Sequence, residues 1–312
     1  QLLTLGNFLR FNPNIQLNDI YKKKPKQGGG WTRLLSDLEL IEKVDETPIA
    51  EIYHKAISNS LMRCDARTYL TFIRSLAIND FKWIDKGDPI EQKMALMCHY
   101  DFWNCAGDKL GYKSLSESLS ALYHPEYKNE LIQVINYLLD NNDTQIQKLH
   151  TDFPCPLQLN ARYTREQIIA GMGGSSFEKQ AVSREGVFNL RELNVELLFV
   201  TLQKSDQHFS PTTLYHDYAM SPTQFHWQTQ NSARPDKGKG LAYIQHKDSG
   251  KKIMLWVRES NKDENGNTMG FVNLGWVNLA EVSGSQPMNI TWELNESMPS
   301  YLWKDAAKLA NS

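Results

Sequence analysis

The spacing of the apolar residues changes once along this chain, and no other feature of the sequence limits the fold as strongly. Up to about residue 150, apolar residues recur three and four positions apart, as at Ile52, Ala56 and Ile57, which is the spacing of amphipathic helices. After the stretch HTDFPCPLQ, whose two prolines break this pattern, apolar and polar residues alternate in short runs typical of half-buried strands. The sequence therefore predicts an α+β protein, with a helical bundle over residues 1–150 and a mostly antiparallel, curved or barrel-like β domain over residues 151–312.

Local signals predict where several helices begin and end. Pro89 opens the run PIEQKMALMCHYDFWNCAG and Gly107 closes it, which matches the preference for proline early and glycine late in a helix. The run KNELIQVINYLLDNND is also helical in its spacing and ends in a polar cluster. The stretch TREQ, from Thr164 to Gln167, is a capping box, in which each side chain accepts the backbone N–H of the other residue. A short helix is therefore predicted directly after Thr164.

Five runs in the second half have the period of two that indicates strands. They are LLFVTL (197–202), LAYIQH (241–246), KIMLWVRE (252–259), GFVNLGWV (270–277) and PMNITWEL (287–294). In the last run Asn289, Thr291 and Glu293 alternate with large apolar residues and form the polar side of the predicted strand. The turn residues DENGN (263–267) predict a hairpin between two of these strands.

Composition excludes several classes of protein. The 312 residues are 41% hydrophobic and 22% charged, with a net charge of -2, so the chain is an ordinary globular protein without a general affinity for polyanions. No apolar run is long enough for a membrane span, and we expect a cytoplasmic protein that is a piece or a processed product of a longer chain. The four cysteines have neither zinc-site nor disulfide spacing; they are Cys64, Cys98, Cys105 and Cys155.

The common catalytic signatures are missing from the sequence. It contains no Gly-x-x-x-x-Gly-Lys-Ser/Thr loop, no Gly-x-Ser-x-Gly and no His-Glu-x-x-His. One Glu-x-Lys triplet, Glu126 to Lys128, lies in a helical region and is interpreted as a pair on a helix surface. The sequence therefore predicts a chain that is not itself an enzyme, with no catalytic residue, no metal site and no cofactor of its own. A hydrolase with a dispersed site is a weaker alternative.

Aromatic, histidine and amide side chains crowd the segment FSPTTLYHDYAMSPTQFHWQTQ, from Phe209 to Gln230. Rings stack on nucleobases, and amide or carboxylate groups hydrogen bond to base edges, so this mixture suits a pocket for a nucleobase. The candidate pocket residues are Tyr215, Asp217, Tyr218, Ser221, His226, Trp227 and Gln228.

Two local structures are open for this segment. Ser221 followed by proline is a helix-start signal, whereas a strand would place Phe225 and Trp227 on one side and His226 on the other. Tryptophan and phenylalanine two positions apart are more often core residues than ligand platforms. On composition alone, a structural role for this segment is therefore the more common outcome.

Two basic clusters could contact DNA phosphates. One lies on a predicted loop and the ends of two strands, and consists of Arg234, Lys237, Lys239, Lys247, Lys251 and Lys252. The other, Lys22, Lys23 and Lys24, precedes a glycine run in YKKKPKQGGGW. Clustered lysines on mobile loops bind a duplex backbone without sequence preference. A solvated surface is the alternative interpretation of each cluster.

Long blocks of the sequence resemble one family of bacterial proteins. The blocks are PLQLNARYTREQIIAGMG, then REGVFNLRELNVELLFVTLQKSDQHFSPTTLYHDYAMSPTQFHWQTQNS, and then QPMNITWEL. They are similar to the C-terminal domain of proteins that fuse a phospholipase-D-type nuclease and a superfamily 2 helicase to this module, as in SauUSI-like type IV restriction enzymes. In the first half NFLRF, DIY and GGWTRLL resemble the helical segment between helicase and terminal domain.

This resemblance implies a function in modification-dependent restriction. Residues 151–312 would be a target-recognition domain of the SRA-like or PUA-like class, which reads 5-methylcytosine or 5-hydroxymethylcytosine in double-stranded DNA by base flipping. Residues 1–150 would link or dock this domain to the helicase and nuclease of the parent chain. ATP and a divalent metal would be used by those missing parts.

A second hypothesis assigns the chain a structural role. In it, the helical half dimerises or docks on the helicase, and the β domain stabilises that assembly without specificity for a modified base. The two hypotheses are compatible, because a restriction complex needs partners as well as a reader.

Overall fold

The structure, a computed structural model, describes residues 3–22, 29–44, 48–203 and 217–303. Internal contacts divide the chain into two compact units, the first comprising Gln1–Ile146 and His150–Val182, and the second Gln147–Leu149 and Ser183–Ser312. The division therefore falls after Val182 rather than after residue 150, where the sequence pattern placed it. Residues 151–182 lie in the helical unit, where their one helix packs on the helix formed by Pro89–Trp103.

The first unit is helical, as predicted. Its α-helices are α1 (Leu5–Phe11), α2 (Leu17–Ile20), α3 (Trp31–Asp37), α4 (Pro48–Asn59), α5 (Arg67–Ile78), α6 (Pro89–Trp103), α7 (Leu115–Ser120), α8 (Pro125–Asp140) and α9 (Arg165–Gly171). Short 3-10 turns occur at Leu61–Arg63 and Asp108–Leu110, and a two-residue strand, β1, at Arg162–Tyr163. Helix α6 is central, since its residues 94–102 are all buried.

Two predicted helix signals are confirmed. The Asp88 side chain accepts the N–H of Ile90 at the start of α6, and proline occupies the first turn. Thr164 and Gln167 form the predicted capping box at the start of α9. Helix α6 ends at Trp103, earlier than Gly107, because Asn104 adopts the left-handed conformation that terminates helices.

Seven strands of the second unit form one mixed, mostly antiparallel sheet, so the α+β class is confirmed. The strands are β2 (Val187–Leu190), β3 (Val195–Gln203), β4 (Tyr218–Ser221), β5 (Gln224–Gln228), β6 (Lys252–Ser260), β7 (Phe271–Gly284) and β8 (Met288–Leu294). Their order is β2-β3-β6-β7-β8-β5-β4, and the β3–β6 pair is parallel. The sheet is open rather than barrel-like, because within the described residues β2 and β4 are its outer strands.

One face of this sheet carries the core of the second unit. Phe225, Trp227 and Trp292 lie on this face and are buried, and helix α10 (Gly238–Ile244) packs Tyr243 against them. The run LAYIQH, predicted to be a strand, lies largely in this helix, so that prediction was wrong. The predicted hairpin at DENGN is confirmed, because its turn joins the antiparallel strands β6 and β7.

Candidate nucleic-acid interface

The aromatic segment YAMSPTQFHWQ forms a hairpin of β4 and β5. Ser221 pairs with Gln224, and the Ser221 Oγ accepts the N–H of Thr223 inside the turn at 3.3 Å. The strand alternative for this segment is therefore confirmed, and Ser221 stabilises a turn instead of starting a helix. The pairing places Tyr218 directly opposite His226.

Strand β5 separates its side chains between the two faces of the sheet. Phe225 and Trp227 point into the core, so Gln224, His226 and Gln228 must lie on the opposite face. On β8 the core residues alternate with polar ones, and on β4 the core residue Ala219 lies between Tyr218 and Met220. We call the resulting surface the polar sheet face; it consists of Tyr218, Met220, Gln224, His226, Gln228, Asn289, Thr291 and Glu293.

Two rings are stacked on the polar sheet face. The centroids of Tyr218 and His226 are 4.6 Å apart and their planes differ by 11°. Both side chains are half-buried, so part of each remains accessible. Most other ring pairs in the second unit are tilted or edge-on, as Trp227 and Tyr243 are at 90°. This parallel arrangement is the geometry in which a further planar ring can be added to a stack.

Amide, hydroxyl and carboxylate groups share the polar sheet face with the two rings. Gln228 donates from Nε2 to Oδ1 of Asn289 at 3.3 Å, across the β5–β8 pair. Thr291 lies opposite His226, and its hydroxyl donates to the sulfur of Met220 at 3.7 Å. The polar sheet face therefore combines two aromatic rings that can stack with side chains that can donate or accept hydrogen bonds.

Two other candidate pocket residues stabilise the hairpin from within. Trp227 is 5% exposed in the core, edge-on to Tyr243 at 5.2 Å, so its assignment to a base pocket is corrected: its ring has no free face. Asp217 is also buried, and its carboxylate accepts the N–H of Gln228 at 2.9 Å, which fixes the start of β4 against β5. Tyr215 lies outside the described residues.

Three of the predicted phosphate-binding residues have protein partners. Arg234 donates to both carboxylate oxygens of Asp236, at 2.9 and 2.7 Å. Lys251 is mostly buried and bonds to Glu196 at 3.0 Å, so it stabilises the fold instead of facing DNA. The ammonium group of Lys252 lies 5.7 Å from the ring centre of Trp276.

The remaining basic candidates of the second unit are exposed. Lys237 and Lys239 lie at the start of α10, and Lys247 lies just beyond its end. Because α10 covers the core face of the sheet, these lysines do not lie on the polar sheet face. In the first unit Lys22 is exposed, 3.8 Å from Asp19, whereas Lys23 and Lys24 are outside the described residues.

Sequence reasoning missed five members of the polar sheet face as site residues. Three of them, Asn289, Thr291 and Glu293, form the polar side of a strand whose alternation was clear in the sequence. No local signal shows that this strand pairs with β5, and it is this pairing that brings them beside His226. The other two, Met220 and Gln224, are neighbours of the predicted residues on β4 and β5.

Comparison with known proteins gives one family match. A family model described as a domain of unknown function (DUF3427) matches residues 157–306. The matched stretch includes every residue of the polar sheet face. No curated protein matches the chain at a significant level. Among the helices that the structure describes, none has the length and apolar character needed to cross a bilayer.

Proposed function

We propose that the second unit is the DNA-binding, target-recognition module of a modification-dependent, type IV restriction enzyme. In this proposal it binds 5-methylcytosine or 5-hydroxymethylcytosine that has been flipped out of a DNA duplex. The observation that carries the proposal is the stacked Tyr218–His226 pair among amide, hydroxyl and carboxylate groups. The family resemblance of the surrounding sequence supports the same function.

A flipped base needs two kinds of contact, and the polar sheet face offers both. Stacking on an aromatic ring replaces the lost base stacking and contributes about 1 to 3 kcal/mol per base. Hydrogen bonds from amide and carboxylate groups replace the lost Watson-Crick pair. Tyr218 lies on β4, one of the two outer strands among the described residues, whereas His226 lies on β5, between β4 and β8; Tyr218 is therefore the ring better placed to receive the base.

Affinity for the phosphate backbone would come from exposed lysines. Lys237, Lys239 and Lys247 are candidates, because each is exposed beside α10; since they lie outside the polar sheet face, the DNA would have to contact both surfaces. Phosphate contacts of this kind position the protein without specifying the sequence.

The proposal extends to an SRA-like or PUA-like fold, a cytoplasmic location, and a parent chain whose helicase and nuclease use ATP and a divalent metal.

A second candidate function is protein docking by the first unit. Phe11 and Ile84 are each 74% exposed, and exposed apolar side chains mark a protein interface where they belong to a contiguous patch. Under this proposal the helical unit docks on the helicase or forms a homodimer. Light scattering of the chain tests the homodimer, since a monomer at all concentrations contradicts it.

Fluorescence anisotropy tests the reader function. The chain is titrated with matched short duplexes that contain cytosine, 5-methylcytosine or 5-hydroxymethylcytosine, at two salt concentrations. Tyr218→Ala and Tyr218→Phe are compared with the wild type, because phenylalanine keeps the ring and removes only the hydroxyl. We expect Tyr218→Ala to weaken binding of the modified duplex by about 5- to 150-fold, the equivalent of one lost stacking contact. Tyr218→Phe should bind nearly as the wild type does.

The outcomes separate the proposed functions. A wild type that binds all three duplexes equally contradicts the reader function and leaves the docking function. A preference for modified duplexes that survives in a folded Tyr218→Ala variant would keep the reader function but remove the ring stack from its binding site.

A further inference from the structure

Gln224 and Glu293 form a cross-strand pair on the polar sheet face. The β5–β8 register places them directly opposite each other, so their Cβ atoms are about 4.5 to 5.5 Å apart. Both are half-buried. Within the described part of the chain, neither side chain makes a hydrogen bond or an ion pair. One acceptor-only group and one amide therefore stand side by side, two residues along the strands from the His226–Thr291 pair.

Met220 places an apolar group beside this pair. A β-bulge between Ala219 and Ser221 leaves Met220 without a partner on β5, and bulges of this kind re-aim a side chain. The Met220 sulfur accepts the Thr291 hydroxyl, so its side chain reaches across β5 to β8. Met220 is 45% exposed, an unusual position for a large apolar side chain on a polar surface.

The three groups match the edge of a 5-substituted cytosine. That edge presents the N4 amino group as donor and N3 and O2 as acceptors, and the 5-substituent is next to N4. A carboxylate accepts from N4, an amide NH₂ donates to N3 or O2, and a thioether contacts a methyl group. Thymine has an acceptor, O4, in place of the amino group and would be repelled by the carboxylate.

We infer that Glu293 accepts a hydrogen bond from the cytosine N4 amino group, with Gln224 on N3 or O2 and Met220 against the 5-methyl group. This inference rests on the proposed function, because it assigns contacts to a base that the polar sheet face binds. It goes further in naming the edge of the base that is read and the reason why thymine is rejected.

A double-mutant cycle with a modified base tests the N4 contact. One duplex carries 5-methylcytosine and its match carries 5-methyl-2-pyrimidinone, which has the same ring without the amino group. Binding is measured by anisotropy for the wild type, Glu293→Gln and the control Glu296→Gln. Glu296 is exposed just beyond β8, so both variants lose one negative charge near the same strand. Effects of the base on duplex stability are common to all three proteins and cancel in the comparison.

The wild type should prefer 5-methylcytosine over the pyrimidinone by about tenfold more than Glu293→Gln does, which is typical of a hydrogen bond to a charged group. Glu296→Gln should keep the wild-type ratio. Equal ratios in all three proteins would overturn the inference while leaving the proposed function intact, provided that the wild type prefers 5-methylcytosine over cytosine. If the wild type lacks that preference, both fail.

Met220→Ala tests the methyl contact with a different readout. Its preference for 5-methylcytosine over cytosine should fall by about fourfold, the value of one buried methyl group. The ratio of 5-methylcytosine to the pyrimidinone should stay the same, because both carry the methyl group. An unchanged preference for the methylated base, in a variant with wild-type thermal denaturation, contradicts the role of Met220.

Discussion

Two buried ionisable groups on α6 should give the first unit an unusual dependence of stability on pH. Burial raises the pKa of Asp101 to about 7, although Tyr69 and Gln167 donate hydrogen bonds to its carboxylate. Burial lowers the pKa of His99 to about 4, against the opposing hydrogen bond from its Nε2 to the carbonyl of Cys105. The pKa values of the two groups are therefore shifted in opposite directions, upward for Asp101 and downward for His99.

The sign of each contribution follows from proton binding. The pKa of Asp101 is higher in the folded chain than its ordinary 3.8. Its contribution to stability is therefore complete below pH 3.8 and is lost as the pH rises through 7, and this loss amounts to about 4 kcal/mol. The pKa of His99 is lower in the folded chain than its ordinary 6.5. Its contribution to stability is therefore complete above pH 6.5 and is lost as the pH falls toward 4, and this loss amounts to about 3 kcal/mol. Between these limits the two slopes nearly cancel.

The substitution Asp101→Asn removes the contribution of Asp101, so that the contribution of His99 is no longer cancelled. Asparagine keeps an acceptor oxygen for Tyr69 and Gln167 and does not ionise. The free energy of unfolding of the variant, relative to the wild type, should rise by about 4 kcal/mol between about pH 4 and pH 8. Urea denaturation followed by circular dichroism measures it, since the first unit is helical. Subtracting the wild type removes the titration of every other group.

Two results would refute this reasoning. A difference between variant and wild type that is the same at both ends of the pH range would mean that Asp101 does not have a raised pKa. A His99→Gln variant whose stability relative to the wild type is the same at about pH 4 and at pH 6.5 would mean that the pKa of His99 is not lowered.

Three further predictions concern the second unit. Trp227→Ala should cost about 3 to 5 kcal/mol of stability, measured by thermal denaturation, because it removes a core ring; a folded variant of wild-type stability contradicts the core assignment. Lys251→Ala should also cost about 3 to 5 kcal/mol, because it leaves the buried Glu196 carboxylate unpaired. Lys239→Ala should leave stability within about 0.5 kcal/mol of the wild type and reduce the salt dependence of DNA binding. The reverse pattern for the two lysines would invalidate the assignment of Lys251 to the fold.

The alternation in PMNITWEL shows what a period of two can predict. It correctly assigned Ile290 and Trp292 to the core and Thr291 and Glu293 to the other side. A strand's own sequence determines its faces, because side chains alternate, but it does not identify its neighbours. The contact of β8 with β5 joins residues that are 61 to 69 positions apart in the chain, and so the Gln224–Glu293 pair could not be predicted.

The wrong prediction for LAYIQH has a different cause. A run of six residues is too short to distinguish a period of two from a helical period. In the helix, Gly240 and Tyr243 are both buried, three positions apart, and a Cβ at Gly240 would lie only 2.0 Å from the carbonyl oxygen of Arg234. The close approach of α10 to the preceding loop thus depends on a glycine whose role is visible only in three dimensions.

Basic clusters are the least informative part of the sequence. Lys251 and Lys239 look equivalent there, yet one pairs with a buried carboxylate 55 residues earlier and the other is exposed. Local charge density shows neither burial nor a distant partner. Predictions of phosphate-binding residues from such clusters therefore need a structure before they can separate surface lysines from structural ones.

The rings on the two faces of β5 have different roles, and the orientation of one face depends on the other. A slip of one residue in the pairing would turn Trp227 toward the polar side and His226 into the core. The buried partners of Trp227 on β8 and α10 prevent that slip, because it would expose a large apolar surface. The core ring thus determines which way the neighbouring polar side chains point without contacting a ligand itself. Substitutions on the polar sheet face should therefore change DNA binding with little loss of stability. Substitutions at Trp227 should instead lower the stability of the second unit without removing a contact to the ligand.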